Sequence, residues 1–414
     1  MDIPDIFGGE DIAAHIASFS YSPLSYEQGE IARRANEARI EGLERTFPGI
    51  RQRRISAVDR LLAQGTREQI EHYMNHSLPR WVLRRIILGV AKRGYGDLVD
   101  QLIERGVDDY NDIARFAARG GYRDIVDDMI ERGANEYDWI AIGAARGGYE
   151  DIVNDMIERG DIEVEDYNRI TEEAAVGGHM DIVVEMIERG ADDYDRIARN
   201  AAEGGHKDIV DNMVRRGANN YDEIASRAAY GGYKDIIDDM IQRGANDYNR
   251  IASRAAQEGF DDIVDDMIRR GANNYNRIAR SAAYGGHKDI VDDMIERGAN
   301  DYNRIANNAA QGGFDDIVDD MIERGANGYD WIANNAAYGG HKDLVDDMIE
   351  RGADDYDRIA QYAAEGGHKD IVDNMVRRGA NNYDEIASRA AQEGFDDIVD
   401  DMIRRGANGY HLRR

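Results

Sequence analysis

Nine histidines and 82 acidic side chains give this 414-residue chain its reactive groups, and it has no cysteine. His179, His206, His287, His341 and His368 each follow a Gly-Gly pair. Imidazole serves as acid, base or metal ligand, but a zinc ion needs its ligands at about 2 Å, and helices packed ~8–10 Å apart hold successive histidines too far apart to share one. Phe260, Phe314, Phe395 and Tyr233 stand at the same register elsewhere, which a required ligand would not allow. A turn histidine bonded to backbone is therefore expected. Asp289, Asp292 and Asp293, with their equivalents Asp262, Asp265 and Asp266, form an acidic ladder. Calcium is not expected there, because an EF-hand places its carboxylates in a loop around a glycine turn, not along a helix. A solvated face is expected instead, with Asp293 pairing with Arg297 one turn on and Asp289 near a helix N-terminus, where negative charge is favoured. Absence of cysteine excludes disulfides, thiol nucleophiles and thiolate-bound metals. The chain carries no P-loop, no His-Glu-x-x-His and no Gly-x-Ser-x-Gly, so no enzyme activity, cofactor or metal is expected.

The informative residues are those that vary at fixed registers. Arg277, Arg280, Ser281 and Tyr284 are spaced three and four apart and share one helix face. Over the repeats that face holds 14 arginines against seven acids, a positive strip on a protein whose formal net charge is −30. Arginine, tryptophan and tyrosine dominate binding hot spots. The candidate partner-binding set is Trp139, Arg250, Arg254, Arg277, Arg280, Tyr284, Arg304, Asn307, Asn308, Trp331, Asn334 and Tyr338; the alternative is that these are tolerant surface positions. Twelve tyrosines from Tyr110 to Tyr410 recur at one register and are expected to pack with their hydroxyls at water. Asn219, Asn246, Asn273 and Asn300 are expected to hydrogen-bond between neighbouring loops.

These residues are positioned by a repeat. Arg-Gly closes a segment at Gly106, Gly133, Gly160 and onward to Gly406, every 27 residues except for one step of 30, so eleven full units span 107–406. Residues 80–106 form a less regular unit and residues 51–77 a further decayed one. In the unit 272–298, Ile278, Ala279, Ala282 and Ala283 recur at helical spacing, as do Ile290, Val291, Met294 and Ile295. Two short helices follow. Asn276 is expected to cap the first, Gly285-Gly286 to end it and Gly298 to end the second. A unit of this size cannot bury both helices alone, so stacking makes the core.

The run Ala-Ala-x-Gly-Gly-His-Lys-Asp-Ile-Val, closing in Arg-Gly-Ala, resembles the ankyrin repeat. Two departures stand out: the Thr-Pro-Leu-His opening is missing, and the unit is shorter than the ankyrin period of about 33 residues. The resemblance implies an all-α, ankyrin-like helix-turn-helix solenoid with trimmed hairpin loops and first helices lining a concave side. Short Tyr- and Asn-rich units are also similar to ankyrin-like proteins of giant viruses. A protein-binding scaffold is the implied function.

All four prolines lie in residues 1–79, read as an N-terminal helical cap or small adaptor domain ahead of a solenoid over 80–414. Ile3-Pro-Asp-Ile-Phe with residues 12–19 is faintly similar to an F-box, which would make the chain a ubiquitin-ligase substrate adaptor. Residues 31–93 carry 14 Lys plus Arg against six acids. The acidic remainder repels phosphates, which makes a nucleic-acid partner an unfavoured reading. No run of about 18 apolar residues suggests a membrane span and the start lacks a signal-peptide pattern, so a cytoplasmic protein is expected, in a host cell or a virion if the source is viral. The tail 407–414 offers little to cover Ile386, Ile398 and Met402, so homodimer formation through this end is a further expectation, with a structural or assembly role as the alternative function.

Overall fold

The computed structural model describes residues 58–75, 78, 80–160 and 162–408. The F-box-like segment, most of the 1–79 cap region, Tyr410 and the tail through Arg414 lie outside the described residues. The chain divides into two compact units, Met1–Ala191 and Asp192–Arg414. Among the described residues both consist of paired helices joined by turns, without strands.

In the Asp192–Arg414 unit the first helix of a pair starts on the repeated tyrosine, as in Tyr275–Gly285, and the second follows at once, as in Lys288–Glu296. The capping residue precedes the tyrosine. Asn274 Oδ1 accepts from the Arg277 N–H at 3.1 Å, as Asp247 accepts from Arg250 at 3.1 Å, satisfying a donor that the first turn leaves free. The expected cap, Asn276, lies inside the helix and reaches the other way. Its Oδ1 accepts from the backbone N–H groups of Asn300 and Asp301, at 2.8 and 2.9 Å, in the next loop. The first helix ends at Gly286, whose φ of +80° is left-handed; the His287 N–H then donates back to the Ala282 carbonyl at 2.9 Å.

Ile278, Ala279, Ala282, Ala283, Val291 and Met294 are fully buried. Each isoleucine contributes about 1.5–3 kcal/mol by leaving water, and the small alanines let neighbouring first helices close up. A Cβ at Gly285 would strike the Gln257 carbonyl oxygen one repeat earlier. Ile386, Ile398 and Met402, expected to be partly uncovered, are buried to 0%, while Ile403 on the same last helix is 42% exposed. Connections between pairs span only residues such as 297–301, without the ankyrin β-hairpin.

The acidic ladder is a set of counter-ions. Arg297 binds Asp293 at 2.8 Å on its own helix and Asp265 at 3.2 Å one repeat back; Arg351 does the same with Asp347 at 2.9 Å and Asp319 at 2.8 Å. Exposed pairs contribute at most about 1 kcal/mol each, but those that reach one repeat back tie neighbouring second helices together.

In the Met1–Ala191 unit the pairs run back to residues 58–64 and Arg67–Met74. Thr66 and Gln69 form a capping box at the second of these. Arg85 holds Asp59 at 2.5 Å and Arg105 donates to the Met74 carbonyl at 2.7 Å, so this pair stacks as the others do. The three extra residues near 161–167 add a turn to one helix: Val164–Gly177 starts three positions before Tyr167, whereas Tyr137–Gly147 starts on its tyrosine.

Candidate partner-binding face

Eleven of the twelve candidate residues lie in the Asp192–Arg414 unit, on four consecutive first helices: Tyr248–Glu258, Tyr275–Gly285, Tyr302–Gly312 and Tyr329–Gly339. They fall into three groups. Arg254, Arg277, Arg304, Tyr284, Trp331 and Tyr338 are exposed, with Tyr284 at 43% and Trp331 at 46%. Arg277 has no ion pair among the described residues, and Arg304 is 3.7 Å from Asp301 on its own helix. The Arg358 guanidinium lies 4.5 Å from the centre of the Trp331 ring, a cation–π contact that fixes the indole at the surface.

Arg250 and Asn308 are committed within the protein. Arg250 is ion-paired to Glu223 of the preceding repeat, and Asn308 donates to the Arg304 carbonyl at 2.8 Å. Arg280, Asn307 and Asn334 share one register that the structure turns inward, a correction to their placement on the open face. Asn334 is 1% exposed, and neither its amide nitrogen nor its oxygen has a partner. Arg280 Nε and Asn307 Oδ1 are likewise buried without partners. Ile142, Ser226 and Ser253 at that register are also buried. First helices side by side at glycine-to-carbonyl distance cover part of what would be open on an isolated helix.

The twelfth residue, Trp139, belongs to the Met1–Ala191 unit. It is held between Arg115 at 4.5 Å and Arg169 at 4.6 Å, from the first helices on either side. Beside it, the sequence reading left out Lys92, Arg119 and Arg146 as a group. Each is the last or near-last residue of its first helix, two positions before a left-handed glycine (Gly94, Gly121, Gly148). Burial, then the Arg119 and Arg146 charges, push the Lys92 ammonium down from its ordinary range; burial, then Arg146, push the Arg119 guanidinium down. The signal was three cations at 27-residue spacing before a glycine.

The histidines sit as expected. His287 Nε2 lies 3.1 Å from the Gln257 carbonyl and His368 Nε2 3.0 Å from that of Tyr338, each one repeat back. Among the described residues no cluster of His, Asp and Glu could hold a metal ion, and no helix is long and apolar enough to cross a membrane.

No family model and no curated protein matches the chain. Solved structures it is similar to include the pentatricopeptide repeat protein PPR10 in complex with an 18-nt psaJ RNA element, at TM-score 0.29 and 14% identity, covering 99% of this chain and 80% of that one. A variant of PPR10 with cysteines replaced by serine, in complex with the same RNA element, scores alike, at TM-score 0.29 and 14% identity over 99% and 80% of the two chains. PPR10 from maize follows at TM-score 0.28 and 15% identity, covering 97% and 79%. None of these three is described as an ankyrin-repeat protein or as a giant-virus protein.

Proposed function

We propose that the chain is a non-catalytic binding scaffold whose first helices hold a protein partner with an acidic or extended segment. One observation carries this reading: Arg254, Arg277 and Arg304 stand exposed on successive first helices beside Tyr284, Trp331 and Tyr338, on a protein of formal net charge −30. Exposed aromatic rings and guanidinium groups together supply apolar area and charge-assisted donors to one surface. In this reading residues 1–79 cap the stack or recruit a second partner.

The test is a pull-down comparing the wild type with an Arg254→Glu, Arg277→Glu, Arg304→Glu variant. Arg250 is spared because Glu223 holds it, and Arg280 because its Nε is buried. A protein retained by the wild type, released as salt rises and absent from the variant supports the reading. Equal retention by both shows that this face is not the site.

A further inference from the structure

The Met1–Ala191 unit holds a cationic cleft that the scaffold reading does not use. Gly120 and Gly147 let three first helices approach backbone to backbone, since a Cβ at either would strike the Lys92 or the Arg119 carbonyl oxygen. Lys92, Arg119 and Arg146, at one register of those helices, therefore issue side by side. Beside them opens a shallow cleft of about 30 Å³ lined by Arg115, Phe116, Arg119, Ile142, Gly143, Arg146 and Glu173. Glu173 is the one acid in that lining, and Arg146 Nη1 holds it at 2.6 Å. Lys92 and Arg119 have no ion pair or hydrogen bond among the described residues. Three arginines thus face one carboxylate in the cleft, closed on one side by Phe116 and Ile142, with the Lys92 charge beside those of Arg119 and Arg146.

We propose that this cleft binds the phosphate of a small phosphorylated molecule, with Arg119 and Arg146 as guanidinium forks and Lys92 as a third donor. A single carboxylate would leave most of the excess positive charge uncompensated, whereas a phosphate brings about two negative charges and three acceptor oxygens, matching planar forks and an ammonium. The volume lies far below the roughly 300–1,000 Å³ of typical small-molecule pockets, so the cleft takes the phosphate group at its mouth and leaves the carrier outside, and Gly143 lets its helix close onto the Arg115 carbonyl oxygen. Half-buried Phe116 offers an apolar edge to the group that carries the phosphate. This site belongs to one unit and stands whether or not the other unit binds a protein.

Calorimetric titration of the full chain with pyrophosphate, and with citrate as a carboxylate control, tests the site. One equivalent of pyrophosphate should bind, with affinity falling roughly tenfold or more, about 1.4 kcal/mol, in Arg119→Gln and in Arg146→Gln but not in Arg254→Gln. Pyrophosphate should also raise the melting temperature of the wild type and not that of Arg119→Gln, a readout that does not depend on the variants' own stability. Tighter binding of ATP than of pyrophosphate assigns a nucleotide source, and tighter binding of inositol hexakisphosphate a cyclitol source; either supports the site. No binding of pyrophosphate, equal binding of citrate, an equal loss in Arg254→Gln, or binding only to single-stranded RNA in proportion to its length overturns it.

Discussion

Asn276 places one acceptor oxygen between two backbone N–H groups of the following loop. Asp195, Asp222, Asn249, Asn303, Asp330 and Asp357 do the same one repeat apart, at 2.7–3.2 Å. Asn and Asp alternate because one oxygen makes both of these bonds; Asn276 adds a longer bond, its amide nitrogen donating to Asn300 Oδ1 at 3.4 Å. Replacing Asn276 by Ala frees two donors at a helix entrance and should lower stability by about 1–2 kcal/mol, while Asn276→Asp should be close to neutral. Urea denaturation checks both, and a neutral alanine would show that water serves the loop equally well. Asn334 is the opposite case, a buried amide with neither end bonded. Ser253, at the same register, donates its hydroxyl to the Asn249 carbonyl at 2.7 Å. Asn334→Ser should therefore stabilise the protein by about 1 kcal/mol, and a lower denaturation midpoint for the variant would contradict this.

At the scale of a helix pair, the Gly-Gly turn and the ring after it act together. Gly286 has a φ of +80°, and a Cβ there would fall on the Phe314 ring of the next repeat. The left-handed conformation alone costs a non-glycine residue roughly 1–2 kcal/mol, so Gly286→Ala should destabilise by more than that, measured by the same denaturation. His368 occupies the ring position against the Tyr338 carbonyl, with Asp370 and His341 as its charged neighbours, and burial pushes its imidazole below the ordinary 6.5. The unfolded chain therefore takes up the proton first. Stability from this group is complete above pH 6.5 and declines as pH falls from there toward the depressed folded value. His368→Phe, the residue already present as Phe395 and Phe314, should flatten the fall in melting temperature between about pH 7 and 5. An unchanged slope would locate the acid sensitivity elsewhere.

Across the molecule, stability should behave as a sum over repeats and their interfaces. Deleting residues 272–298 joins Gly271 to Ala299, restoring the Gly-Ala step that precedes every loop of the Asp192–Arg414 unit. Asn249 then meets the loop of Asn300, and Phe314 covers Gly259 in place of His287. The shortened protein should keep its helix content per residue and a cooperative, somewhat earlier denaturation. Loss of cooperative folding would mean that one repeat is irreplaceable.

How much of this was legible depends on the range of the interaction. The 27-residue period, the helix pairs, the left-handed glycines and the buried Ile, Ala, Val and Met stripe follow from the sequence, because side-chain periodicity and backbone sterics act within a turn or two. The short loops could be read the same way, since the unit leaves no residues for a hairpin. What the period does not contain is the distance between repeats. Glycine-to-carbonyl packing of neighbouring first helices turned Asn334 inward and brought Lys92, Arg119 and Arg146 side by side. The same stacking sent the Asn276 oxygen forward to the next loop instead of back to its own helix start. Those outcomes rest on contacts 24 or more residues along the chain, where a shift of a few tenths of an ångström decides which polar atom is bonded, buried or exposed.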